Sequence, residues 1–343
     1  MQRWPALMVT ILGGSLLATA PDARPAAMGP TTLAGATGAG VVVVTHGGVG
    51  SPPEWSSDCE DAARAGAAAP GGALDAACAA VVHLENICRF NAGTGAHVRL
   101  DGRTVQMDAA VMTADGEFAA VAALERVRNP VLVAREVLAT PHRLLAGEGA
   151  TRFAHRRGFA DEVPLCDEAL ANYRRRLALL LEGRAGGGYD AFDWRAAWNY
   201  PTPPPEAAAV DPAGSVPPRV EPSDTVGAVV RAADGTFAAA LSTGGTGLTL
   251  YGRVGDVPIY GCGLYAGPAG AVACTGHGEE IIRHAMARLV YERMAAGDSA
   301  REAVLAGCRV FGDEWSLGLI AVSRSDWAVA ANRDMAWGQA SPR

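Results

Sequence analysis

The sequence predicts an α+β fold in which antiparallel sheets are faced by helices. Two Asp-Gly turns, Asp101-Gly102 and Asp234-Gly235, each join strand-like runs and favour hairpins over βαβ crossovers. Ala-rich segments carry apolar residues at helical spacing. A long Pro- and Gly-rich stretch divides one set of strands and helices from a second.

The elements follow in order. Val41 to Val44 is a β-branched run that ends at Thr45 and His46-Gly47-Gly48, which reads as a buried strand entering a tight loop. Cys59 to Leu84 reads as two helices, broken at Pro70-Gly71-Gly72. Strands are expected at His97–Leu100 and Thr104–Met112, on either side of Asp101-Gly102. Asn129-Pro130 opens a helix over Val131–Leu138. From Tyr173 the composition changes. Arg174 to Arg176 lead into Gly186 to Gly188, Pro201 to Pro205, Pro217-Pro218 and Pro222, so residues 173–224 read as a mobile linker. A loop of that length within one domain needs a functional reason. Patterning resumes at Thr225, with a hairpin of Val226–Arg231 and Thr236–Ser242. One amphipathic helix is then expected over Glu279–Met294, and strands at Leu317–Val322 and Trp327–Ala331.

Composition narrows the function. Apolar residues make up 49% of the 343, ample for a sizeable core. The net charge of -7 argues against a nucleic-acid partner, which leaves a basic footprint. All 29 cationic residues are arginine, so Schiff-base and lysine-base chemistry are excluded. The seven cysteines form no CxxC pair and no even framework, and are expected to be buried reduced thiols. Arg3, the apolar run Ala6–Leu17 and the small residues Ala18-Thr19-Ala20 have the layout of a secretory signal, which implies export to the periplasm. Met28 offers a second reading, in which residues 1–28 are an upstream extension and the protein is cytoplasmic. That apolar run is too short to span a bilayer.

The chemistry-bearing residues cluster in the last third. Asp224-Thr225-Val226-Gly227, Ser242-Thr243-Gly244-Gly245, Gly252-Arg253-Val254-Gly255-Asp256 and Thr275-Gly276-His277-Gly278-Glu279 combine hydroxyls, glycines and one charge pair. A Gly-rich turn beside a strand is most often only a turn, and an Arg near an Asp is most often a weak surface pair. Four such clusters directly after a linker are harder to dismiss. Earlier runs join them: Thr45-His46-Gly47-Gly48-Val49-Gly50, Phe90-Asn91-Ala92-Gly93-Thr94-Gly95, Val105-Gln106-Met107-Asp108-Ala109, Asn129-Pro130-Val131 and Gly147-Glu148-Gly149-Ala150.

In this order the clusters resemble the plant-type L-asparaginase and isoaspartyl peptidase family, N-terminal-nucleophile hydrolases related to glycosylasparaginase. The match runs from Val41 to the C-terminus and is weakest in the linker. It implies a four-layer αββα sandwich and autoproteolysis between Asp224 and Thr225. Residues 29–224 then become an α-subunit and 225–343 a β-subunit, with two such heterodimers pairing. The freed amine of Thr225 serves as base to its own hydroxyl, since an α-amine titrates at about 7.7–8.0. The resemblance further implies Thr243 beside the nucleophile, an oxyanion site at Thr275 and the Gly276 N–H, and Asn91 orienting the surroundings of Thr225.

An amino-acid head needs one cation and one anion. Arg253 suits its carboxylate and Asp256 its ammonium, with the Gly278 carbonyl as helper. The expected substrates are L-asparagine and β-aspartyl dipeptides. No cofactor is implied for catalysis. A structural sodium is implied in the loop from Leu84 to Thr94, held by backbone carbonyls around Leu84, Glu85, Phe90, Ala92 and Thr94.

Asp224 matches the glycosylasparaginase pattern, whereas isoaspartyl peptidases more often have glycine there. Glycosylasparagine hydrolysis is therefore the alternative within the enzyme class, and an unprocessed, non-catalytic binding protein the alternative outside it. Zinc catalysis is disfavoured, because His277 and His284 lack an HExxH frame and lie two helical turns apart. Cys262 and Cys274 sit in apolar runs that suit packing rather than nucleophilic chemistry. Gly47-Gly48-Val49-Gly50 lacks the Lys-Ser/Thr of a phosphate loop.

Overall fold

The computed structural model of the chain describes residues 30–38, 40–186, 189–205 and 225–341. The valine run forms β2 (Val42–Val49), buried along its whole length. A strand covered on both faces has no polar side to alternate, which is why it reads as a continuous apolar run. The faces still differ: Val43 packs with one core cluster, while Val42 and Val44 pack with another.

β2 belongs to a seven-stranded sheet with β3 (Met107–Thr113), β4 (Phe118–Leu124), β5 (Leu144–Ala146), β6 (Val226–Arg231), β7 (Phe237–Thr243) and β12 (Met335–Ala340). Its order is β12-β2-β6-β7-β3-β4-β5, antiparallel except where β4 meets β5. A second sheet contains β1 (Thr31–Ala36), β8 (Leu264–Gly267), β9 (Gly270–Gly276), β10 (Leu317–Ser323) and β11 (Asp326–Ala331). Its order is β1-β11-β10-β9-β8, with every pair antiparallel.

The three largest of five core clusters among the described residues lie against the sheets. Val43, Val111 and Ala228 of the larger sheet pack with residues of α1 (Ser56–Ala68), α2 (Ala73–Glu85), α3 (Pro130–Val137) and α4 (Gly147–Arg156). Val44, Val229 and Leu241 of the larger sheet pack with Ala273, Ile320 and Val329 of the smaller one. The alternate residues Val272, Leu319 and Ala328 pack with α6 (Gly278–His284), α7 (Met286–Ala295) and α8 (Ala300–Phe311). The period of two along each strand therefore decides which cluster a side chain joins.

Several expectations hold and several need correction. The break at Pro70-Gly71-Gly72, the helix opening at Pro130 and the Asp234-Gly235 hairpin all appear as expected. The Asp101-Gly102 turn forms, with Arg99 N donating to Thr104 O at 2.8 Å, but His97–Leu100 is not a strand. Its polar groups instead bond the distant 245–249 loop, so β3 pairs with β4 and β7. The single helix expected over Glu279–Met294 is two, because Ala285 takes a left-handed φ of 44°. Ala287 N and Arg288 N at the start of α7 donate to the carbonyls of Cys262 and Gly261 at 3.0 and 2.9 Å, which holds the break.

Part of the stretch read as linker is built structure. Helix α5 (Asp167–Leu181) runs through its first residues, and Trp194, Trp198 and Tyr200 pack with Leu100, Leu177 and Leu248. Residues 206–224, including Asp224, lie outside the described residues. The cysteine expectation also needs correction. Cys88 and Cys166 form a disulfide across a Cα–Cα distance of 6.2 Å, and the other five cysteines are free and buried. Absence of a spacing motif says little about thiols 78 residues apart that the fold brings together.

Candidate active site

Thr225 immediately precedes β6 and is 2% exposed. In the β6–β7 ladder Val226 faces Ser242, so the start of β6 and the end of β7, with Thr225 and Thr243, lie at the same edge. Thr243 also faces Asp108 of β3. Its Oγ1 accepts the Gly245 N–H at 3.0 Å, which leaves the hydroxyl proton to be donated elsewhere.

Asn91 secures this turn by three bonds. Its Nδ2 donates to Gly245 O at 2.7 Å, its Oδ1 accepts His97 N at 2.9 Å, and its carbonyl accepts Gly244 N at 2.9 Å. Gly245 has a φ of 70°, and a Cβ there would lie 2.8 Å from Arg99 Nη1. Only glycine fits that combination of backbone and neighbour.

Thr275 lies near the end of β9 and is fully buried. Its Oγ1 accepts the Val49 N–H at 3.2 Å, so its hydroxyl, like that of Thr243, has its proton left to donate. Gly276 follows and faces Leu317 of β10. The end of β2 thus serves two elements, with Val49 meeting Thr275 and His46 facing Gly227 of β6. His46 is fully buried, and burial lowers its imidazole to about 3, outweighing the opposing pull of the Thr225 backbone. The ring beside Thr225 is therefore neutral at physiological pH.

The charged residues converge separately. A Cβ on Gly278 would sit 3.0 Å from Arg253 Nη2 and 3.0 Å from Asp256 Oδ1, so both side chains close on that glycine. Arg253 is also engaged from outside. Its Nε and Nη2 donate to Glu279 Oε1 at 3.0 and 2.8 Å, and Nη2 donates to Oε2 at 2.8 Å. Burial disfavours the Arg253 charge, but Glu279, Asp256 and Asp108 outweigh it and raise the guanidinium's affinity for its proton. Burial likewise works against the Glu279 carboxylate, yet Arg253 holds it below the ordinary range. A carboxylate already sits on the Arg253 fork, so the fork accepts carboxylate geometry.

The loop after α2 carries the carbonyls considered for a cation. Two of them pack against glycines: a Cβ on Gly95 would meet Phe90 O and one on Gly93 would meet Glu85 O. Leu84, Phe90 and Ala92 carbonyls each accept a backbone N–H within the loop, which leaves one lone pair on each oxygen. The Glu85 side chain points elsewhere, its carboxylate accepting Val131 N at 3.0 Å and Asn129 Nδ2 at 2.9 Å; burial pushes it up to about 7. Beside Asn91 opens a cleft of about 270 Å³, lined by Trp55, Cys88, His97, Asn172 and Arg175 among others. A hollow of about 480 Å³ between Pro268, Tyr291 and Arg324 contains none of these residues.

Every predicted site residue except Asp224 lies within the described residues. A sequence model of the asparaginase family matches residues 41–341, which spans all the clusters above. The chain belongs to the asparaginase family. It is 35% identical over 274 residues to a plant-type L-asparaginase of Pyrococcus horikoshii, covering 77% of this chain and 82% of the relative. It is 38% identical over 275 residues to an isoaspartyl peptidase/L-asparaginase of Danio rerio, covering 76% and 78%. An isoaspartyl peptidase of Salmonella typhimurium is 38% identical over 280 residues, covering 78% and 81%.

Sequence reasoning on this asparaginase-family chain missed Arg99, Asp108 as a side-chain acceptor, Glu279 as partner of Arg253, and His46 as neighbour of Thr225. Asp108 and His46 lay inside quoted motifs, but nothing local displayed their partners. Arg99 carried no signal at all, since an arginine near a turn reads as surface.

Proposed function

We propose that the chain is an autoprocessing threonine amidohydrolase that releases L-aspartate from L-asparagine, β-aspartyl dipeptides, or both. The observation that carries this reading is the pairing of two features: buried Thr225 at one strand edge with Thr243, and an Arg253–Asp256 pair converging on Gly278. Hydrolysis of the Asp224–Thr225 bond would leave fragments 29–224 and 225–343 and free the Thr225 amine. That amine then takes the proton of its own hydroxyl as the hydroxyl attacks the side-chain carbonyl of the substrate.

Charge develops on the carbonyl oxygen, and the hydroxyl of Thr275 with the Gly276 N–H would stabilise it. The proton of Thr275 is available because its oxygen already accepts from Val49. Thr243, oriented the same way by Gly245, would donate to the nucleophile oxygen. Arg253 takes the substrate's α-carboxylate in place of Glu279, and Asp256 takes the α-ammonium. Leaving ammonia or amino acid collects a proton from the Thr225 amine, and water then repeats the attack on the aspartyl ester.

The three stacked clusters support a four-layer αββα order, with the two sheets in the middle. The Leu84, Phe90 and Ala92 carbonyls each keep a lone pair, and oxygens are the donors a hard cation takes, which supports a structural sodium in the Leu84–Thr94 loop. Its part would be to stiffen the loop that carries Asn91.

Intact-mass analysis after incubation near neutral pH, followed by an assay for L-aspartate, tests the reading. Two fragments divided between Asp224 and Thr225, with aspartate released, are expected. A single uncut chain that yields no aspartate would overturn it.

A further inference from the structure

Arg99 is the largest of the fully buried side chains, and it belongs to no strand or helix. A buried guanidinium is costly unless its donors are met. Here Nη1 donates to Thr249 Oγ1 at 2.6 Å and Thr246 O at 3.3 Å. Nη2 donates to Gln106 O at 3.0 Å and Arg253 O at 3.3 Å. Three of the four acceptors lie in one stretch, from Thr246 to Arg253, which has no helix or strand to shape it. That stretch links the turn after Thr243 to the arginine that meets Asp256 at Gly278.

Asp108 works from the other side. Its Oδ2 accepts Gly255 N at 3.3 Å, and its Oδ1 accepts Ala123 N at 2.8 Å. Arg99 therefore holds the carbonyl of Arg253 while Asp108 holds the amide two residues on. Tyr200 completes the frame, bonding the Thr249 carbonyl and accepting Leu100 N at 3.3 Å. Asn199 adds two bonds to the Tyr251 backbone, at 2.9 and 3.0 Å.

We propose that Arg99 is a positioning residue for substrate recognition: it sets the backbone of Thr246–Arg253 so that Arg253 and Asp256 read an α-amino-acid head at a fixed separation. The proposal rests on the assignment of Arg253 to the substrate carboxylate. It locates control of substrate affinity in a fully buried residue that acts through the backbone of the loop carrying Arg253. A side chain that only filled space would have no need of four directed bonds, and an apolar residue there would take a donor from the Gln106 and Arg253 carbonyls, while Thr246 O would keep Thr249 Oγ1.

Arg99→Met and Arg99→Lys, assayed with L-asparagine and a β-aspartyl dipeptide per mole of processed chain, test the idea. For Arg99→Met, KM is expected to rise roughly tenfold or more, with kcat changed less than about threefold. Arg99→Lys keeps the charge and part of the bonding, and should recover part of that KM. A packing role would instead reduce the yield of processed protein and leave KM alone, which overturns the proposal. If Arg99→Met does not fold, Thr249→Val removes one acceptor and keeps the guanidinium; a KM raised about two- to fivefold supports positioning, and an unchanged KM overturns it. Arg253→Gln separates the two levels. A raised KM there with unchanged KM in the Arg99 and Thr249 variants sinks only the role of Arg99. An unchanged KM in Arg253→Gln sinks the clamp, and the role of Arg99 with it.

Discussion

The strand edge at Thr225, proposed to hold the nucleophile, and the Arg253–Asp256 pair, proposed to hold the substrate, sit close in sequence but are built from different physics. At the strand ends that carry Thr225, Thr243 and Thr275 the groups are neutral: three hydroxyls, Asn91 on the turn after Thr243, and an imidazole that burial keeps uncharged. Their positions come from short bonds to backbone amides and carbonyls. Around Arg253 the structure places charge: Asp256, Glu279, and behind the loop Arg99 and Asp108. On the proposed roles, a neutral setting would avoid competing fields at the reacting oxygen. A charged pair would read a zwitterion and release it by exchanging partners. Chemistry and recognition would then be open to disturbance one at a time.

The widest separation is expected from single changes on each side. Thr225→Ala should leave the chain uncut and lower the release of aspartate on the order of 10⁴-fold or more, measured on purified protein. Arg253→Gln should leave cleavage before Thr225 intact, as seen by mass, and raise KM roughly ten- to hundredfold through loss of a charge-assisted carboxylate contact. If it blocked cleavage instead, the two regions would not be independent.

The neutral side makes a pH prediction. His46 is lowered to about 3 in the fold, against an ordinary value of about 6.5. Between those values the unfolded chain binds the extra proton and the folded chain does not, so stability falls as the pH drops below about 6.5. The loss from His46 should be on the order of 2 kcal/mol by pH 5. His97, lowered to about 3 by burial, adds its own share. His46→Gln should flatten the fall in Tm between pH 7 and pH 5, and an unaltered profile would mean the ring is charged or exposed.

The smallest effect concerns Glu279, which is half exposed and competes for Arg253. Glu279→Gln should lower KM about two- to fivefold with kcat little changed, since the half-exposed carboxylate end of the pair is screened by solvent. A raised KM would mean that Glu279 orients Arg253 rather than competing for it.

What was legible in the sequence follows from how local each cause is. Thr225, Thr243, Arg253, Asp256 and Thr275 could be singled out because they stand in short motifs that resemble those of the family. The Asp234-Gly235 hairpin and the Pro130 helix start were legible for the same reason. Arg99 was not, because three of its four acceptors lie 147 to 154 residues away. The break at Ala285 depends on the carbonyls of Gly261 and Cys262, and periodicity alone shows one helix there. The Trp194–Tyr200 segment looks like linker by its prolines and glycines, yet its aromatic rings find Leu100 and Leu248 to pack on. Strands β1, β5, β8 and β12 went unread, being short runs at sheet edges that carry little apolar pattern of their own, and β4 and β9 went unread inside the sheets.

The strand order has a consequence for what a cut before Thr225 can do. Strands β1 to β5 precede that residue and β6 to β12 follow it. Four ladders, β1–β11, β12–β2, β2–β6 and β3–β7, pair a strand from before it with one from after it. In the larger sheet β2 lies between β12 and β6, so the two pieces are interleaved like the fingers of clasped hands. The disulfide adds nothing across the divide, since Cys88 and Cys166 both precede Thr225. Once split, the chain would run as two bands under denaturing conditions and as one particle under native ones. Neither piece owns a complete sheet to fold around, so a break there would have to come after folding, as an edit to a finished molecule.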